Sequence, residues 1–421
     1  MAKKSVSIVI PMIGGAVVAS IVWMLGPGAR WILENIDGVT VGGPTGLTGK
    51  DLAAALDAVR GRVLAVATGL AALLAVFYTA RNADTARRSF QLGERGHVTD
   101  RYSKAVEQLG SPQAPVRLGG LYALEQLAQG TPDPEFRQTI VDVICAYLRM
   151  PFTPPTEGTT SEPAGRDPQE ERQVRLAAQR ILANHLRHHS ATARPWRRIR
   201  PADRNARHWP DVRIDLSGAT LIDLDFRSCH ISEARFADSI FIGDSTFAGS
   251  IFVGDAMFDG TVFHGAARFG GTTFDGAAWF ERATFTGPAT FAGATFSIAA
   301  QFEGATFNRA ARFTGAAFVG AAWFGGATFA GAWFAGATFD SDAWFGGATF
   351  TDSALFERAV GLETAALGGV HLAPVAEDVV RTWPTAWKEA PDGTGGRTLR
   401  LAHPPAEGAD DDGEPGESSA T

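Results

Sequence analysis

The chain has 421 residues, 45% of them hydrophobic, with a formal net charge of -7, a modest imbalance for a length that accommodates two or three domains. Its two cysteines, Cys145 and Cys229, exclude a disulfide framework and a zinc-ligand spacing, and suit a reducing compartment. Charge is uneven along the chain: residues 81–210 carry 20 basic and 14 acidic side chains, residues 211–360 carry 8 and 16.

After Lys3 and Lys4 the sequence is uncharged from Ser5 to Ala29, long enough for a helix to cross about 30 Å of hydrocarbon. The uncharged core of a cleaved signal peptide is shorter, about 7–15 residues. A second uncharged run covers Val63 to Ala80. Together they predict a transmembrane hairpin over residues 1–81, with spans at about 5–26 and 63–80. Lys3, Lys4, Arg81, Arg87 and Arg88 flank the spans, against Arg30, Lys50, Arg60 and Arg62 in the connecting loop. That balance places both termini in the cytoplasm by the positive-inside rule.

Residues 82–150 read as a small helical domain. Tyr102, Ala105, Val106 and Leu109 share one face of a helix that stops at Gly110. Val116, Leu118, Leu121, Leu124 and Leu127 share another, which stops at Gly130, and Phe136, Ile140, Val143, Ile144 and Leu148 a third. Cys145 lies beside that last stripe and reads as a core thiol.

Residues 151–210 read as a Pro- and Gly-rich linker followed by an arginine-rich helix and joint, with ten arginines and one acidic residue from Arg172 to Arg207. Arg197, Arg198 and Arg200 are candidates for contact with anionic lipid headgroups. The alternatives are a solvated joint packed on acidic neighbours, or a nucleic-acid contact. His185, His188 and His189 lack accompanying carboxylate or cysteine ligands, so no metal site is assigned.

From Leu216 a large apolar residue returns at fixed intervals, first every five residues through Phe241. It then alternates six and five through Phe247, Phe252, Phe258 and onward to Phe329. Neither a helix nor a strand has that period. Two positions before nearly every one stands a small residue, such as Ala219, Cys229, Ala234 or Ser239. A winding chain that turns a corner every five or six residues accounts for both: the large residue points to the axis, and the small one points inward without colliding with it. Such coils bury no core singly and are stable only when stacked. Taking corners four apart as stacked, as the family resemblance given below implies, the coil holds about 22 residues with an extra residue at two corners. The shortened step from Phe329 to Phe334 predicts a local kink.

The stacked register places Met257, Trp279, Gln301, Trp323 and Trp344 in one outward column, and Thr284, Thr306, Thr328 and Thr349 in another. Trp279, Trp323 and Trp344 are the candidate partner-binding residues, since tryptophan is enriched at binding hot spots. The alternative is that their rings lie over alanine and glycine corners and hold neighbouring coils together. Residues 373–421 are expected to cap the open end of the winding and to finish in an acidic tail. No nucleophile–base constellation, phosphate loop or spaced carboxylate pair is present, so neither an enzyme nor a cofactor is predicted.

The motifs "LSGATLIDLDF" and "FAGATFSIAAQF" resemble those of pentapeptide-repeat proteins. The stretch "HVTDRYSKAVEQLGSPQAPVRLGGLYALEQLAQ" resembles the helical segment between anchor and repeats in many bacterial membrane-associated members. The resemblance implies an α+β multidomain chain whose residues 211–372 form a right-handed quadrilateral β-helix, four units to a turn. Together with the two spans and the flanking charges, it leads to the expectation of a non-catalytic, multi-pass protein of the bacterial cell membrane, with its helical domain and repeats in the cytoplasm, acting as a protein–protein interaction scaffold. Some members mimic duplex DNA, bind gyrase and pair as homodimers through their ends, so the alternative is a DNA-mimicking regulator of such an enzyme. The net charge of the repeats, only eight negative, argues against it, and direct nucleic-acid binding is not expected.

Overall fold

The structure is a computed structural model and describes residues 15–43, 45–155, 167–187, 208–374, 379–393 and 395–402, with backbone alone over 85–96. Arg197, Arg198, Arg200, His188, His189, the acidic tail and the first ten residues of the predicted first span lie outside the described residues. The chain divides into two compact units, Met1–Thr99 and Asp100–Thr421.

In the first unit, helix α1 (Gly15–Leu25) and helix α2 (Pro27–Asn35) meet at a 69° bend. Pro27 cannot donate a main-chain hydrogen bond, which favours a fresh helix start there. Gly28 is needed just beyond it, because a Cβ at that position would press on the Trp23 ring at 2.8 Å. Helix α3 (Gly49–Leu109) begins against α2, where Ala29, Leu33 and Val59 form a small buried cluster. The Arg60 side chain donates to the carbonyl of Leu25 at 3.0 Å and so caps the end of α1. Within α3, Gly49–Asp84 is long and apolar enough to cross a membrane, and its most apolar 18 residues are unburied. The α1–α2 pair is long and apolar enough only if it is counted as one bent span.

Sequence periodicity separates the second span from the helix ending at Leu109; the structure joins them. No proline interrupts residues 49–109, and the glycines between them cost about 1 kcal/mol each, too little to break a long helix.

In the second unit the end of α3 packs with α4 (Ala114–Gly130), α5 (Pro134–Arg149) and α6 (Pro168–Leu186). Asp133 and Asp167 cap α5 and α6, each accepting from the backbone N–H two residues on. Inside this layer Glu171 is held between Arg117 at 3.0 Å and Arg175 at 3.1 Å, and accepts from the Tyr147 hydroxyl at 2.8 Å. Arg117 and Arg175 also donate to the carbonyls of Ser111, Pro112, Leu148 and Met150, so the buried charges are largely satisfied. Burial, then the Glu171 contact, pushes the Tyr147 hydroxyl up to about 12.

From Arg213 the chain winds into four ladders, two of seven strands, one of six and one of ten, parallel except for the final hairpin of the longest. The central coils pair in a register of 22 residues, as in Phe285 beside Phe307 and Ala278 beside Ala300; the register is 20 at the first coil, Leu221 beside Phe241, and 21 across the shortened step, Phe318 beside Phe339. The phenylalanines are fully buried in four stacks, with ring centroids 4.4–5.3 Å apart and planes within 15°. Rings of adjacent stacks meet edge to face, as Phe291 and Phe302 do at 5.3 Å and 84°. Cys229 and the alanines two before each ring are buried, as their inward placement requires.

The two step lengths are two kinds of corner. Five-residue steps close in a tight turn: Thr261 N–H donates to the Phe258 carbonyl at 3.2 Å and Gly260 takes φ +63°. That positive φ at the third residue marks a type II turn. Six-residue steps pass corners where successive coils nearly touch, and a Cβ on Gly276 would strike the Gly254 backbone. The shortened step at Phe334 removes one residue from such a corner. The ladder does not break there: Ala332 still pairs with Ala311 and Phe339 with Phe318. The Phe334 ring stays within 7° of Phe313, and rings of the last coils tilt 12–15°, as the rings of the first coils also do at 12–13°.

Both ends of the winding are covered. At the first coil Gln138 and Gln179 place their amides against the main chain of Arg213 and Ile222. The Arg187 backbone bridges Cys229, and its guanidinium donates to the Asp225 carbonyl at 3.2 Å. At the last coil, the Trp383 and Trp387 rings cover Phe345, Phe350 and Phe356. The hairpin of Trp387–Pro391 and Arg397–Leu401 extends the longest ladder antiparallel through Arg397 and Leu372.

Candidate interaction face

Each strand presents one outward side chain beside its inward one, so ladder register alone decides which surface residues become neighbours. On one face the register runs Arg235, Met257, Trp279, Gln301, Trp323, Trp344. All three candidate tryptophans therefore stand in a single column. The Trp323 and Trp344 rings stack at 4.5 Å and 24°, and Trp344 is 44% exposed. Trp279 is half-buried with its Nε1 turned inward, where it meets no acceptor among the described residues. What that ring offers to solvent is its carbon surface. The Trp323 and Trp344 rings thus span adjacent coils, Gln301 separates them from Trp279, and Trp279 and Trp323 are each half-buried.

The threonine column Thr284, Thr306, Thr328, Thr349 occupies a second face. Trp333 stands on a third, beneath the Arg312 guanidinium, whose carbon lies 4.4 Å from the ring centroid. That pairing removes Trp333 from the open aromatic surface.

Periodicity missed a neighbouring column. At the tight corner after the tryptophan face stand Asp259, Glu281 and Glu303, on consecutive coils. The Gly260 N–H donates to the Glu281 carbonyl at 2.8 Å and the Arg282 N–H to the Glu303 carbonyl at 2.9 Å, which fixes their succession. Burial, and then the charge of Glu281, pushes the Asp259 carboxyl up. Glu281 has a long contact with Arg282 at 3.8 Å; among the described residues neither Asp259 nor Glu303 has an ion pair. The signal was present as acidic residues 22 apart, two positions after the tryptophan column, but corner positions are not constrained by the inward rule.

Other polar clusters are occupied with structure. His185 stacks on Trp209 at 3.9 Å and bonds Glu125 at 2.7 Å through Nε2. Arg172 and Arg187 pair with Asp223 and Asp225. No group of metal-ligating side chains occurs among the described residues. Burial pushes the Cys145 and Cys229 thiols up to about 12, which keeps them protonated and unreactive at neutral pH.

Compared with known proteins, the chain matches the family model of pentapeptide repeats in overlapping copies at 216–262, 226–273, 258–300, 269–317, 294–338 and 313–360. No curated protein and no solved structure matches it. The matched stretch coincides with the laddered coils and their four phenylalanine stacks, so residues 216–360 are a pentapeptide-repeat β-solenoid.

Proposed function

We propose that this is a non-catalytic, membrane-anchored interaction module. The α1–α2 pair and α3 form a two-span hairpin in the bacterial cell membrane. The helical layer and the solenoid lie in the cytoplasm, and the solenoid offers its tryptophan face to a protein partner. The observation that carries the interaction role is the column Trp279, Trp323, Trp344, held in fixed register on a rod whose two ends are covered. A surface so braced loses little conformational entropy on binding, which favours docking. The anchor rests on the uncovered, most apolar 18 residues within Gly49–Asp84.

Two measurements test the proposal. The protein resists alkaline extraction from membranes, and an impermeant maleimide on intact cells labels Thr48→Cys but not Val319→Cys. Release into the soluble fraction, or labelling at Val319→Cys, overturns the anchor and its orientation. For the face, a Trp279, Trp323 and Trp344→Ser variant with an unchanged melting curve loses a membrane protein that the parent chain co-purifies; identical recoveries return the rings to a structural duty.

A further inference from the structure

The tryptophan column and the carboxylate column run side by side along the solenoid. Among the described residues Asp259 and Glu303 make no ion pair, and Arg282 is a loosely held cation at 72% side-chain exposure. The Glu303 side chain leans over the next coil, its Oε1 lying 3.6 Å from where a Cβ on Gly325 would stand. It therefore reaches the coil that carries Trp323, while Glu281 shares a coil with Trp279. Each of these rings has a carboxylate on the same edge of the face, and like charges stack on consecutive coils, with Arg282 in long contact with Glu281 and also acting on Asp259.

Resting on the docking role given above, we propose that this face binds an extended, proline-rich segment of a partner protein carrying Lys or Arg at every third position. Charge complementarity selects the cation: a guanidinium or ammonium gains from a ring face and from an adjacent carboxylate together. The spacing selects the backbone. Trp279 and Trp323 are two coils apart, about 10 Å at the separation of hydrogen-bonded strands. Three residues of polyproline II advance about 9 Å, whereas alternate residues of a β-strand advance only about 7 Å. Of these two extended backbones, the three-residue repeat sets successive cations over both rings without shifting register. Such a segment is ordered before it binds, so little entropy is lost on docking.

Labelled peptides of repeating Pro-Pro-Arg, repeating Pro-Pro-Glu and alternating Arg-Pro are titrated into the full chain in a zwitterionic detergent, with anisotropy and tryptophan quenching as readouts. Pro-Pro-Arg binds and quenches, Pro-Pro-Glu does not, and alternating Arg-Pro binds more weakly. The double variant Glu281→Gln, Glu303→Gln keeps its melting curve and binds Pro-Pro-Arg about tenfold more weakly. Equal binding of both charge signs, or an unchanged affinity in that variant, overturns the proposal. If the tryptophan-to-serine variant loses a co-purifying partner while Pro-Pro-Arg fails to bind, the cationic ligand is wrong and the docking face stands. If neither changes, both fall.

Discussion

The side-chain amide of Gln179 stands in for a β-strand beside Ile222. Its Nε2 donates to the Ile222 carbonyl at 2.7 Å, and the Ile222 N–H donates to its Oε1 at 3.0 Å. Gln138 does the same for Arg213, at 2.8 and 3.0 Å. A first coil has no coil before it, and these two amides supply the hydrogen bonds that an earlier coil would have made.

Gln179→Leu removes both partners from a buried main-chain pair, and an unsatisfied buried group costs about 1–3 kcal/mol. The loss is expected in chemical denaturation of the intact chain, with faster hydrogen exchange at Ile222 than at Phe285. Equal protection at Ile222 in parent and variant would show that the amide contributes nothing.

Phe302 is fully buried in the middle of its stack, 4.8 Å from Phe280 and 5.2 Å from Phe324. Phe302→Ala is expected to cost about 3–5 kcal/mol, because the rigid coils above and below cannot close the cavity. A midpoint unchanged within error would contradict the inward packing.

Arg282 occupies the left-handed position of a tight corner at φ +53°, where Gly260, Gly271, Gly293 and Gly304 stand in neighbouring turns. A side chain in that conformation costs about 1–2 kcal/mol relative to glycine's freedom there. Arg282→Gly is expected to raise stability by about 1 kcal/mol or less, since glycine also gains entropy in the unfolded chain. A marked fall in the denaturation midpoint would refute this.

Asp259 has its carboxyl pushed up by burial and by Glu281. A group with a raised folded pKa is more stable in the fold when protonated, so its penalty is present at neutral pH. That penalty disappears as pH falls through the raised value. Asp259→Asn is expected to stabilise the protein at neutral pH, with the gain vanishing in acid. Asp215, Asp225 and Asp244 act oppositely. Their folded values are lowered, by the Ser217 hydrogen bonds at Asp215, the Arg227 hydrogen bonds at Asp225 and the Ala266 N–H at Asp244, against the raising effect of burial. Their stabilisation is lost as pH falls. Stability curves of parent and Asp259→Asn across the acid range should therefore converge; a constant offset would refute the assignment.

The winding was legible in the order of residues. Each inward phenylalanine, the small residue two before it and the outward columns of tryptophan and threonine follow from a count of five and six, because coil pairing joins residues only about 22 apart. In so local a lattice, sequence spacing and spatial neighbourhood are nearly the same thing. The contacts that close the lattice were not legible. Gln138 and Gln179 reach strands 75 and 43 residues away, and nothing periodic marks a glutamine whose amide will serve as a strand. The continuity of α3 through residues 81–100 was hidden for a related reason: its face changes from uniformly apolar to amphipathic, and pattern reads that change as a boundary where the backbone has none. The carboxylate column fell between these cases. Its 22-residue spacing is visible, but only the tertiary structure shows which side of the tryptophan face it borders, since a corner side chain is aimed by the turn and not by the core.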